Sequence, residues 1–77
     1  MDYKPVTSSN IAEIGFDSAD LALGVKFKNG GEYIFLGVSE EVYNQFLNAE
    51  SAGKFFASNI KGKYSGSKVE NPPENAY

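Results

Sequence analysis

The sequence predicts an α+β domain, a three-stranded antiparallel β-meander followed by two helices packed on one face. Three observations carry this. Residues 10–38 alternate apolar and polar positions between short turns rich in Gly, Asn and Asp. Residues 39–60 switch to helical spacing behind two serines. A chain of 77 residues has room for one thin core.

The first strand falls in "NIAEIGFD" (10–17), with Ala12, Ile14 and Phe16 on one face, and "DSAD" turns the chain. "LALGVKFK" (21–28) places Leu21, Leu23, Val25 and Phe27 on one side and Ala22, Gly24, Lys26 and Lys28 on the other. The third strand is "EYIFLGV" (32–38). A two-residue Asn29-Gly30 turn would pair Phe27 with Glu32. A three-residue loop, Asn29-Gly30-Gly31, pairs Lys28 with Glu32, Phe27 with Tyr33 and Val25 with Phe35. The second register joins opposite charges and apolar pairs, and matches the hairpin in which a type I turn precedes a left-handed Gly. It is the expected one. Tyr33 and Phe35 then face the core, while Ile34 and Leu36 lie on the outer face. That face calls for a cover, either a second copy of the chain or the N-terminal arm, residues 3–6.

Ser39 is a good N-cap, and Glu40 and Glu41 follow it where the helix dipole favours anions. Val42, Tyr43, Phe46, Leu47 and Ala49 mark the packed face of a helix over about 40–50. Ser51 caps a second, shorter helix over 52–60, with Ala52, Phe55, Phe56 and Ile60 on one face. The expected core comprises Ile14, Phe16, Leu23, Val25, Phe27, Tyr33, Phe35, Val42, Phe46, Phe56 and Ile60. Residues 1–7 form an arm, 8–64 the domain, and 65–77, polar and carrying Gly66, Pro72 and Pro73, a disordered tail.

Composition narrows the chemistry. There is no Cys, so neither a disulfide nor a thiolate metal site is open. Without His the common general base is missing, and without Arg so is bidentate phosphate capture. The acids are scattered. No catalytic residue, metal or cofactor is expected, and the chain reads as a non-catalytic cytoplasmic protein with no membrane segment.

The charge is uneven. Net charge is −3. Residues 51–69 hold four Lys and no acid, whereas residues 1–50 hold three Lys and eight acids. Such segregation points to an anionic partner. If Ser51 caps the second helix, the free N–H groups beyond it, an unobstructed Gly53 and the Lys54 ammonium could hold an anionic group. Lys61, Lys63 and Tyr64, at the far end of that helix, would contact the rest, with Tyr64 an exposed ring suited to stacking on a base. Gly53-Lys54 is followed by Phe and lacks an upstream Gly, so this is not a Walker A loop.

The ordered segments "SSNIAEIGFD", "LGVKF-NG", "Y-F" and "VYNQFLNAES-GKFF---IK--Y" resemble the KTSC domain, found at the C-terminus of some lysyl-tRNA synthetases and alone in bacteria and phages. The resemblance runs from Ser8 to Tyr64. The family's Tyr-x-Tyr motif stands here as Tyr33-Ile34-Phe35, without the second hydroxyl. The resemblance implies a small domain for which RNA binding has been proposed from the synthetase context. The expected function is thus binding of RNA or another nucleic acid. The alternatives are capture of a small nucleotide or cyclic dinucleotide, as a phage-encoded protein could do, and a protein-interaction adaptor.

Overall fold

The structure, a computed structural model, describes residues 2–69. It contains β1 (Asp2–Pro5), β2 (Ile11–Asp17), β3 (Ala22–Phe27), β4 (Glu32–Leu36), α1 (Glu40–Leu47), α2 (Ala52–Phe55) and β5 (Gly66–Lys68). After α2 the helix widens into a π-helical segment, Phe56–Ile60. The sheet is antiparallel throughout and its spatial order, β1-β2-β3-β4-β5, repeats the order in the chain. The α+β class is as expected, with two strands more than the three predicted.

Both extra strands lie at sheet edges, in segments too polar for period-two reading. The arm is β1, paired with β2 from Asp2↔Phe16 to Pro5↔Glu13. The expected disordered tail is corrected at its start, because β5 pairs with β4 over Phe35↔Gly66, Ile34↔Ser67 and Tyr33↔Lys68. Backbone pairing on one side, rather than an apolar face, holds these short strands. Residues 70–77 of that tail lie outside the described residues.

Two corrections concern register. The β3–β4 loop has three residues, but they are Lys28-Asn29-Gly30. Gly30 N donates to Phe27 O at 3.0 Å, and Phe27 N donates to Gly31 O at 2.7 Å. Gly30 takes the left-handed position at φ 97°, and Asn29 Oδ1 accepts from Gly31 N at 2.9 Å. A loop one residue earlier shifts the pairing by two. Val25 therefore faces Tyr33, Leu23 faces Phe35 and Lys26 faces Glu32. A shift of two preserves the faces, so Tyr33 and Phe35 remain on the helix side. The second correction is in β2, where Ile11 pairs with Phe27 but Glu13 with Lys26, leaving Ala12 as an extra residue. This β-bulge inverts the alternation. Ile11, not Ala12, joins Ile14 on the core face and is fully buried.

The helices cover that face. Ser39 Oγ accepts from Val42 N at 3.3 Å and Ser51 Oγ from Lys54 N at 3.4 Å, so both serines cap as expected. Leu23, Val25, Val38, Phe46 and Ile60 are fully buried between sheet and helices. Phe46 stacks on Phe55 at 5.2 Å between ring centroids, and Phe16 on Tyr43 at 5.2 Å. Of the expected core, Phe16, Phe27, Tyr33, Val42 and Phe56 are only partly buried at its margin. A domain this small has more large aromatics than interior.

The outer face has a cover from its own chain. Tyr3 on β1 stands opposite Gly15, which stands opposite Gly24, which stands opposite Ile34. The two glycines leave a side-chain-free lane across the sheet, and the Tyr3 hydroxyl donates to Glu32 Oε2 on β4 at 3.1 Å. Lys26 Nζ sits 4.1 Å from the Tyr3 ring centroid, a cation–π distance. Gly15 and Gly24 are buried and Ile34 half-buried, whereas Leu36 remains 58% exposed.

Candidate functional site

The partly buried aromatics at the core margin converge on the buried Phe35. Phe27, Tyr33 and Phe35 come from adjacent strands and Phe56 from the π-helical segment. Phe56 meets Phe27 edge-on at 5.5 Å and Phe35 at 5.7 Å, while Tyr33 meets Phe27 edge-on at 5.7 Å. Such edge-to-face contacts fix ring positions. These four rings form the floor of an open groove of about 460 Å³, closed on one side by Lys61, Gly62, Tyr64 and Gly66 and on the other by Asn10. A second groove, about 400 Å³, shares Asn10 and Phe27 and extends to Ser9, Lys28 and Asn29. The two adjoin at Asn10 and Phe27 and together make a cleft that carries Lys61 in the first groove and Lys28 in the second. Among the described residues, no acid lines it.

Local structure explains each wall. The π-helical segment ends where Lys61 N donates to Phe56 O at 2.8 Å, and Gly62, at φ 80°, turns the chain out of the helix. Tyr64 N donates back to Ile60 O at 3.3 Å, which holds the Tyr64 ring over the cleft. Gly66 admits Phe35, since a Cβ there would fall 2.7 Å from the ring's Cδ2. Opposite, Ser8 Oγ accepts from the backbone N–H of Asn10 at 3.2 Å and of Ile11 at 3.1 Å, and donates to Asn10 Oδ1 at 2.8 Å. The Asn10 carbonyl accepts from Lys28 N at 2.8 Å.

The six predicted site residues divide. Lys61 and Tyr64 line the aromatic groove. Tyr64 is half-buried against the core rather than fully exposed. Lys63 is exposed on the same strap between helix and β5. Ser51 and Lys54 lie elsewhere, on a shallow surface shared with Glu50 and Asn59. Gly53 is half-buried against the 8–10 turn: a Cβ on it would lie 3.0 Å from Asn10 Oδ1 and 3.3 Å from Ser8 Oγ. Its small size lets α2 approach the 8–10 turn. Sequence reasoning missed Asn10, Lys28 and the ring floor. The available signal was the surplus of aromatics over what 77 residues can bury.

This arrangement of a short meander with edge strands, two helices and a cleft at their junction has close relatives. The family model described as the KTSC domain matches residues 7–64, so the chain belongs to the KTSC domain family. It is similar to the crystal structure of a KTSC domain protein from Yersinia pestis, with a TM-score of 0.86 and 39% identity over 90% of this chain and 97% of that one. A protein of Tsukamurella paurometabola is 36% identical over 61 residues, covering 79% of this chain and 91% of the relative.

Proposed function

We propose that the protein is a non-catalytic, cytoplasmic binding module for single-stranded RNA, and that the cleft between Lys28 and Lys61 is where it binds. The observation that carries this reading is the convergence of half-exposed rings, Phe27, Tyr33, Phe56 and Tyr64, in a cleft flanked by lysines and lined by no acid among the described residues. Ring faces stack on bases of any identity, and the lysines meet the phosphates that connect them. Two adjoining grooves suit a chain of nucleotides better than a single one. With few lysines and no Arg, the affinity is modest and falls with salt by a slope set by the few phosphates met. The KTSC context of some lysyl-tRNA synthetases is consistent with this. Ser51 and Lys54, on a separate surface, are not needed for it.

The test is a thermal-shift and anisotropy screen with short RNA, mononucleotides and cyclic dinucleotides at two salt concentrations. RNA binding that weakens steeply with salt, with a slope near the number of phosphates met, supports the proposal. Tyr64→Ala should then cost about 1–3 kcal/mol of binding. Stabilisation by mononucleotides or cyclic dinucleotides with shallow salt dependence would favour a small-nucleotide pocket instead. No response to any of them would leave the adaptor reading standing and remove this one.

A further inference from the structure

We infer that Asn10 sets the base preference of the cleft, selecting bases that present a carbonyl oxygen over those that present an amino group at the same edge. The inference rests on the nucleic-acid reading of the cleft and adds a chemical selectivity to it.

Ser8 orients the Asn10 side chain. Its Oγ already accepts from two backbone N–H groups, Asn10 at 3.2 Å and Ile11 at 3.1 Å. A hydroxyl oxygen has two acceptor positions and one proton, so both acceptor positions are taken. The atom of the Asn10 amide that lies 2.8 Å from Ser8 Oγ must therefore be an acceptor. This fixes the usual ambiguity of amide orientation: a flipped amide would aim a third donor at a filled oxygen. Asn10 Oδ1 is thus turned toward Ser8 and Gly53, and the amide nitrogen is turned away from them.

Asn10 borders both grooves. Among the described residues none accepts a hydrogen bond from its Nδ2. With Oδ1 held toward Ser8, what the residue has free for the cleft is the pair of N–H donors on Nδ2. An asparagine free to rotate can read adenine through both its atoms; one locked in this way cannot. Its donors match the adjacent O6 and N7 acceptors of guanine or the O4 of uracil. They oppose the amino group of adenine or cytosine.

Oligouridylate and oligocytidylate of equal length provide the test, since they carry the same charge and the same ring size. The wild-type protein should bind the uridine oligomer more tightly, by about five- to tenfold for one discriminating hydrogen bond. Asn10→Asp, whose carboxylate only accepts, should weaken both and reverse the preference. Ser8→Ala should free the amide and bring the ratio toward one with binding retained, and Ser8→Thr should keep the wild-type ratio. Circular dichroism of each variant confirms folding. Equal binding of both oligomers by the wild type, or a ratio indifferent to Asn10→Asp and Ser8→Ala, would overturn the role of Asn10 while leaving the cleft as the binding site. Failure of both oligomers to bind the wild-type protein would overturn the reading of the cleft and this inference with it.

Discussion

The ring of Phe35 on β4 occupies the space that a side chain on Gly66 of β5 would need, with Cδ2 2.7 Å from the missing Cβ. The two residues are direct partners in the sheet, and both line the cleft. Because Gly66 has no positive φ among the chain's turn glycines, its small size rather than its backbone freedom is what the position uses. Gly66→Ala must push either the ring or the strand aside. The expected cost is about 1–3 kcal/mol, as for other overpacked sites. Urea denaturation measures it, and weakened ligand binding at unchanged Lys61 and Tyr64 should accompany it.

Tyr3 predicts a pH dependence. Its hydroxyl is pushed up to about 12, first by burial and then by the Glu32 carboxylate that accepts its hydrogen bond. The folded state therefore favours the neutral phenol more than the unfolded chain does, where the value is 10.0. The resulting stability is fully present below pH 10 and is lost as the pH rises from there through 12. Tyr3→Phe should lower stability near neutrality by about 0.5–1.5 kcal/mol for the lost hydrogen bond. It should also flatten the alkaline fall, which thermal melts from pH 8 upward would reveal against the background of the other tyrosines.

The hairpin loop can be located by two neighbouring substitutions. Gly30 holds φ 97°, where any side chain is strained, so Gly30→Ala should cost about 1–2 kcal/mol. Gly31, outside the left-handed region, would bring a Cβ 3.2 Å from Asn29 Oδ1, a lesser penalty. Equal effects of the two changes on the denaturation midpoint would contradict the Lys28-Asn29-Gly30 loop.

The N-terminal arm gives a prediction about association. Removing residues 2–5 takes away β1, opens the hydrogen-bonding edge of β2 and uncovers the glycine lane beside Ile34. An unpaired strand edge next to apolar surface is an adhesive one. The shortened chain should sediment as dimers or larger species at concentrations where the full chain associates less. Identical sedimentation of the two would show that the arm does not guard this face.

How much of this was legible in the sequence depends on the kind of constraint. Face assignments of Leu23, Val25, Tyr33 and Phe35 were legible because period two survives a register shift of two. The shift itself was not, since Gly30 and Gly31 both satisfy a left-handed turn and only the closed backbone distinguishes them. The Ala12 bulge was hidden by a pattern in which Ala12 and Ile11 are both apolar. Serine caps were read correctly because capping is local, within three residues. The cleft was half legible. Lys61 and Tyr64 stood out by charge and context, but Phe27, Tyr33 and Phe56 looked like core, and whether an aromatic is core or margin is decided by packing volume rather than by spacing. Asn10 carried no local signal; the placement of its amide depends on a serine two residues earlier and on Gly53 in the distant α2.

The agreement between strand order in space and order in the chain has a kinetic consequence. Three of the four strand pairs join segments linked by a short turn, so they need not wait for a distant segment, and such local pairing favours fast folding. The exception is β4–β5, whose connection spans both helices. That pairing closes the longest loop, and it also sets Gly66 and Tyr64 in place along the cleft. The cleft should then be completed late on folding and open when the C-terminal strand lifts away. Amide exchange should show Leu36, whose N–H donates to Ser65, exchanging well before Val25 at the centre of the sheet.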